Sequence, residues 1–255
     1  MALDLVTIPC LTDNYAYLIY NTATGETALV DVPEAAPVLA ALRARSWRLD
    51  HILITHHHDD HIQGVPELVA ATDARVTGAA ADAHRLPPLD AQVKDGDTIT
   101  ICGEACRVID VSGHSMGHVA FHFPGSDLVF TADSLMAFGC GRLFEGTPEV
   151  AYASLLRLAA LPGDPWVCSG HEYTASNARF AATLEADNPA LISRIAEVAA
   201  LREKGVATVP SRLSVERATN PYLRAHLPAL KAAVGLPDAS DSAVFAEIRA
   251  RKDRF

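Results

Sequence analysis

Basic residues are scarce in this chain: 21 Lys and Arg stand against 31 Asp and Glu, a formal charge of −10. A nucleic-acid partner needs a basic face, so none is expected. No Lys or Arg occurs before Arg43 and Asp4 interrupts the opening stretch, so the charged and apolar regions of a secretory leader are not expected there. Long apolar runs are missing as well, and nothing reaches the ~18 residues needed to cross a bilayer. Cysteine is sparse: Cys10, Cys102, Cys106, Cys140 and Cys168 are odd in number and lack zinc-binding spacing. A disulfide framework is therefore not expected, and a reduced cytoplasmic setting is. Repeats and low-complexity tracts are absent apart from alanine richness, which suits helices.

What is present is an ordinary globular composition, 49% hydrophobic and 20% charged over 255 residues, enough to bury a large core. Against it stands Thr55-His56-His57-His58-Asp59-Asp60-His61, which follows the apolar stretch Asp50-His51-Ile52-Leu53-Ile54. That stretch reads as a buried strand, which puts the cluster in a strand-end loop, a common place for chemistry. In an extended loop alternate side chains share a direction, so His56 and His58 can point one way while Asp60 and His61, beyond a turn, face a second ion. Neutral imidazole and carboxylate suit zinc, iron or manganese. A solvated tract, unspecific metal binding or a purification remnant would explain the composition too, but the internal position after a strand argues against a remnant.

One loop cannot complete two metal sites, and further donors arrive in similar settings. Arg107–Val111 reads as a strand and leads to His114; Asp127–Thr131 leads to Asp133; Trp166–Gly170 leads to His171. Singly, each would be an ordinary cap or turn residue, but four such placements in one chain point to a common site. His57 alternates away from the cluster and is expected to bond elsewhere, while His118, before the strand Val119–Phe123, is expected to be structural.

With these residues in view the chain resembles the metallo-β-lactamase-fold hydrolases, and within them glyoxalase II, the hydroxyacylglutathione hydrolase family. The resemblance rests on Thr55–His61, Gly113-His114-Ser115-Met116-Gly117-His118, Phe130–Ser134, Cys140-Gly141-Arg142-Leu143-Phe144-Glu145-Gly146, Gly170-His171-Glu172-Tyr173-Thr174, Asn220–Arg224 and Arg251–Phe255, which span nearly the whole chain. It implies that His56, His58 and His114 hold one divalent metal ion, that Asp60, His61 and His171 hold another, and that Asp133 bridges them. Zinc is the first choice of metal, with iron or manganese as alternatives. It further implies that Arg142, Tyr173, Arg249 and Lys252 contact glutathione, with Phe144 standing where some members carry tyrosine. Residues three apart on a helix share a face, which independently pairs Arg249 with Lys252. Ser112, Ser115, Ala132 and Ser134 replace the commoner Pro, Thr, Gly and Thr, and Gln63 a commoner Gly.

The implied reaction is hydrolysis of S-(2-hydroxyacyl)glutathione, first of all S-D-lactoylglutathione, by a hydroxide shared between the two ions. Asp60 would accept a hydrogen bond from it and aim it, and Asp133 would fix the ion pair. The partner is then a small-molecule thioester, with no membrane and no second subunit expected.

Strand and helix patterns mix through about Tyr173, beginning with Leu5–Ile8, Tyr15–Ile19, Ala28–Asp31 and a helix near Ala35–Arg45. Helices then dominate, near Ala175–Ala186, Pro189–Glu203 and Ser242–Arg251. The expected fold is α/β: an αββα metallo-β-lactamase-like sandwich over residues 1–173, carrying the metals, and a smaller all-helical domain over 174–255 that binds substrate. A β-lactamase would be expected to carry Cys at position 133, and a persulfide dioxygenase would use one iron without the helical extension; a metal-dependent binding module would lack turnover.

Overall fold

The computed structural model describes residues 3–255. Its first sheet has the spatial order Asp4–Cys10, Asn14–Tyr20, Thr27–Val30, His51–Leu53, Arg75–Ala79 and Ala91–Val93. The first three strands are antiparallel and the later ones run parallel. Parallel pairing needs crossovers, and the helices Ala35–Arg45 and Val65–Thr72 supply the first two of the three. The first of these helices stops where Ser46 turns left-handed at φ 55 and returns its N–H to the Arg43 and Leu42 carbonyls.

The second sheet has the order Ser211–Arg212, Trp166–Ser169, Leu128–Ala132, Val119–Phe123, Glu104–Asp110 and Thr98–Ile101. Its inner face meets the first sheet through Phe121, Phe123 and Phe130 against Tyr17 and Ile19, all buried. Each such side chain contributes about 1.5–3 kcal/mol on leaving water. Helices cover both outer faces: Val38, Leu42 and Leu68 close over Leu18, Leu29 and Ile52, while Tyr152, Leu155 and Leu158 of Pro148–Ala159 close over Val129 and Val167. The result is the expected αββα layering.

Beyond Tyr173 come Thr174–Leu184, Pro189–Glu203, Leu213–Thr219, Pro228–Ala233 and Asp241–Asp253. The second of these starts where it was expected to, because Asn188 accepts from the Ala190 and Leu191 N–H groups and Pro189 needs no donor there. One departure from an all-helical region is the strand Ser211–Arg212, which pairs antiparallel with Trp166–Val167. Two residues are too few to show periodicity, so no pattern announced it. The Arg212 guanidinium lies 4.0 Å over the Trp166 ring and reinforces the pairing. Helix Asp241–Asp253 is fixed by Phe245, whose ring meets Tyr152 at 5.5 Å and Tyr222 at 5.6 Å. Among the described residues no helix is long and apolar enough to cross a membrane.

Candidate metal centre

The expected donors converge from four strand ends. Thr55 to His58 run extended after His51–Leu53, and the one-turn helix Asp59–Ile62, in place of a simple turn, then carries Asp60 and His61. His114 sits between Glu104–Asp110 and Val119–Phe123, Asp133 follows Leu128–Ala132, and His171 follows Trp166–Ser169. Ala132 lies at φ 42, a left-handed conformation that explains why glycine is the commoner residue there.

Two groups of nitrogens face each other across Asp133. In the first, His58 Nδ1 lies 3.2 Å from His56 Nε2 and 2.9 Å from His114 Nε2. In the second, His171 Nε2 lies 3.4 Å from His61 Nε2 and 3.4 Å from Asp60 Oδ2. Asp133 touches both: its Oδ2 is 3.4 Å from His114 Nε2 and 3.2 Å from His171 Nε2, and its Oδ1 is 3.5 Å from His61 Nε2. His56, His58 and His114, and likewise Asp60, His61 and His171, are close enough to hold a metal ion; so are Asp31, His56 and His61.

The outer nitrogens decide where the lone pairs point. His61 Nδ1 faces Asp31 Oδ2 at 2.8 Å, His171 Nδ1 faces Asp13 Oδ1 at 3.0 Å, and His114 Nδ1 faces the Arg142 carbonyl at 2.7 Å. His56 Nδ1 faces Thr55 Oγ1 at 3.0 Å, while that hydroxyl donates to Asp31 at 2.8 Å. Each outer partner accepts, so each ring carries its proton outward and turns an unprotonated Nε2 inward. Lone pairs aimed at one another, beside a buried Asp133 Oδ1 that has no hydrogen-bond partner, fit a divalent cation. Asp31 serves as the outer partner of this arrangement, since both its oxygens are occupied by Thr55 and His61.

Charge agrees with this fit. Burial pushes the pKa of His56, His58 and His114 down, which keeps them neutral donors. Burial opposes ionisation of Asp133, yet the neighbouring His61 and His171 hold its carboxyl well below the usual range. The same two histidines are raised, against burial, by Asp133. Asp133 thus demands positive charge beside it, and a bound cation would supply that in place of imidazolium.

Of the donors, His58, Asp60, His114, Asp133 and His171 open on a cavity of about 660 Å³ whose wall includes Arg142, Phe144, Tyr173, Arg249 and Lys252. The exposed Phe144 ring stands edge-on to His58 and His114 at 5.6 and 5.3 Å. The Tyr173 ring stacks on His171 at 4.7 Å. Arg249 is buried, donates to the Cys140 carbonyl at 2.9 Å and pairs with Asp253 at 2.9 Å, and Asp253 lies 3.4 Å from Arg142. Lys252 donates to Ser176 Oγ at 3.0 Å.

Sequence reasoning missed the residues that orient the donors. Asn14 Nδ2 donates to Asp60 Oδ2 at 3.0 Å, the same oxygen that faces His171, and so braces it toward the donor group. Asp13 and Asp31 likewise hold His171 and His61; their placement beside short strands was the available signal, and Asp31 follows Thr27–Val30 directly. His57 turns away to Asp82 at 3.0 Å, and His118 is buried with its ring stacked 4.5 Å from that of His56.

Comparison with known proteins extends the picture. Residues 12–171 match the model of the metallo-beta-lactamase superfamily, and residues 172–255 match that of the hydroxyacylglutathione hydrolase C-terminus. Proteins called hydroxyacylglutathione hydrolase from Fuscovulum blasticum and Cereibacter sphaeroides are 64% and 63% identical over 255 residues, covering 100% of each chain. A crystal structure of TTHA1623 in a di-iron-bound form is 30% identical, covers 66% of this chain and 91% of its own, and superposes with a TM-score of 0.57. With matches along its full length and donors that meet in one cavity, the chain belongs to the hydroxyacylglutathione hydrolase family of the metallo-beta-lactamase superfamily.

Proposed function

We propose that this chain hydrolyses S-(2-hydroxyacyl)glutathione thioesters, foremost S-D-lactoylglutathione, to glutathione and a 2-hydroxy acid, the second step of methylglyoxal detoxification. The observation that carries the reading is the pair of donor groups sharing Asp133 at the floor of a cavity whose rim holds Arg142, Arg249 and Lys252. His56, His58 and His114 would hold one divalent ion, Asp60, His61 and His171 the other, and Asp133 would lie between them. The identity of relatives and the di-iron form of one similar structure support two ions, zinc being the first choice here. When bound, such ions supply Lewis acidity to the ester oxygen and make water acidic enough to attack near neutral pH.

The protein's own groups do the rest. Asp60, braced by Asn14, is the acceptor that orients the attacking water. Thiolate leaves readily, so positioning matters more than acid catalysis. Arg142, Arg249 and Lys252 match the peptide carboxylates by charge, while Phe144 and Tyr173 flank the donors and exclude water from one side. Screening over roughly 8 Å confines these attractions to the cavity mouth, so the overall charge of −10 does not prevent an anionic substrate from binding. The five buried thiols, none in a disulfide, are in keeping with a reducing compartment such as the cytoplasm.

The test compares S-D-lactoylglutathione with the lactoyl ester of a thiol lacking the two glutathione carboxylates, alongside metal analysis. About two ions per chain and a clear preference for the glutathione ester are expected. One iron with oxygen consumption, or tight metal without turnover, would overturn the assignment.

A further inference from the structure

Three loops of the site meet at one guanidinium that belongs to none of them. Arg85 lies beyond the strand Arg75–Ala79. Its Nε donates to Asp82 Oδ1 at 2.5 Å, its Nη1 to Glu145 Oε1 at 2.5 Å, and its Nη2 to Glu145 Oε2 at 3.2 Å and to the Met116 carbonyl at 2.9 Å. Glu145 also accepts the Met116 N–H at 2.7 Å. Asp82, fully buried, faces His57 Nδ1 at 3.0 Å, and His57 Nε2 lies 3.5 Å from Glu145. The Thr55–His61 loop therefore joins through His57, the Ser112–His118 loop through Met116, and the Gly141–Gly146 loop through Glu145.

Arg85, Asp82 and Glu145 take no part in the groups that could hold a metal. What they share is the back of the Gly141–Gly146 loop, whose front carries Arg142 and Phe144. Both side chains are mostly exposed, so they have little packing of their own to fix them. A two-pronged guanidinium–carboxylate contact fixes orientation as well as distance. The Arg85 fork, acting with the Met116 N–H bond and against burial, holds the Glu145 carboxyl down at about 2, so the fork stays ionised through the neutral range.

We propose that Arg85 is a positioning residue for substrate recognition: through Glu145 it sets the loop bearing Arg142 and Phe144, and so governs how well the peptide part of a thioester is held. The inference rests on the glutathione-thioester reading above.

Steady-state kinetics of R85A, R85K and E145Q on S-D-lactoylglutathione and on the lactoyl ester of N-acetylcysteamine test it. R85A should raise KM for the glutathione ester about tenfold while kcat stays within about threefold, a loss of binding common to ground and transition states. Its kcat/KM on the truncated ester and its metal content should match the wild type. R85K should recover part of the loss and E145Q should reproduce it, and these two decide the matter if R85A does not fold. Equal losses on both esters, loss of metal, or an unchanged KM for the glutathione ester would overturn the role. Equal activity of the wild type on the two esters would instead overturn the substrate reading itself.

Discussion

Asp31 and His61, 30 positions apart, are joined by a 2.8 Å contact between carboxylate Oδ2 and imidazole Nδ1. Asp31 adopts φ 57, a conformation that Asn also tolerates. Asp31→Asn should therefore keep the fold while removing the charge that turns the His61 Nε2 lone pair inward. Metal affinity should fall about 10–100-fold, read by competition with a chromophoric chelator. Unchanged affinity would remove Asp31 from the centre.

Gly170 has no room for a side chain. A Cβ there would strike Asp133 Oδ1 and come within 2.7 Å of His61 Cε1. Gly170→Ala should displace Asp133 from between the donor groups and lower kcat by about 10²-fold, the scale of a 1 Å error in catalytic geometry. Metal content should drop with it, and a fully active, fully loaded variant would contradict the placement of Asp133.

Phe245 couples stability to recognition. It is fully buried between Tyr152 and Tyr222 on the helix that also carries Arg249 and Lys252. Phe245→Ala should cost about 3–5 kcal/mol of unfolding free energy, measured with urea. In the folded fraction, KM for the glutathione ester should rise as the helix loosens, with the truncated ester little affected.

Lys252 provides a pH signature. Burial first, then the neighbouring Arg249 and Arg179 charges, hold its ammonium below the usual lysine range. The cation is therefore lost as pH rises through a value lower than the ordinary ~10.4. Binding of a non-hydrolysable S-alkylglutathione should weaken on that alkaline side, and Lys252→Arg, which stays charged, should flatten the limb. Identical pH profiles for the two proteins would show that Lys252 does not meet the ligand.

The donors were legible because each follows a short apolar strand, and the helix Pro189–Glu203 because Asn188 and Pro189 mark its start. Less legible were the groups that aim the donors. Asp13 acts on His171 across 158 positions and Asp31 on His61 across 30, and neither carries a pattern that distinguishes it from any acid near a strand. The strand Ser211–Arg212 escaped because its identity comes from the neighbour it pairs with, Trp166–Val167, and not from its own two residues. Arg85 escaped for a related reason, since its contacts with Met116 and Glu145 lie on loops far along the chain.

That two-residue strand also determines what the chain can survive losing. It seals the outer margin of the sheet beside Trp166–Ser169, the strand that presents His171. A shortened polypeptide ending before it would bare a row of unpaired amides and carbonyls, an adhesive border for other copies. The residues beyond Tyr173 thus shield the flank of the sheet that presents one of the donors.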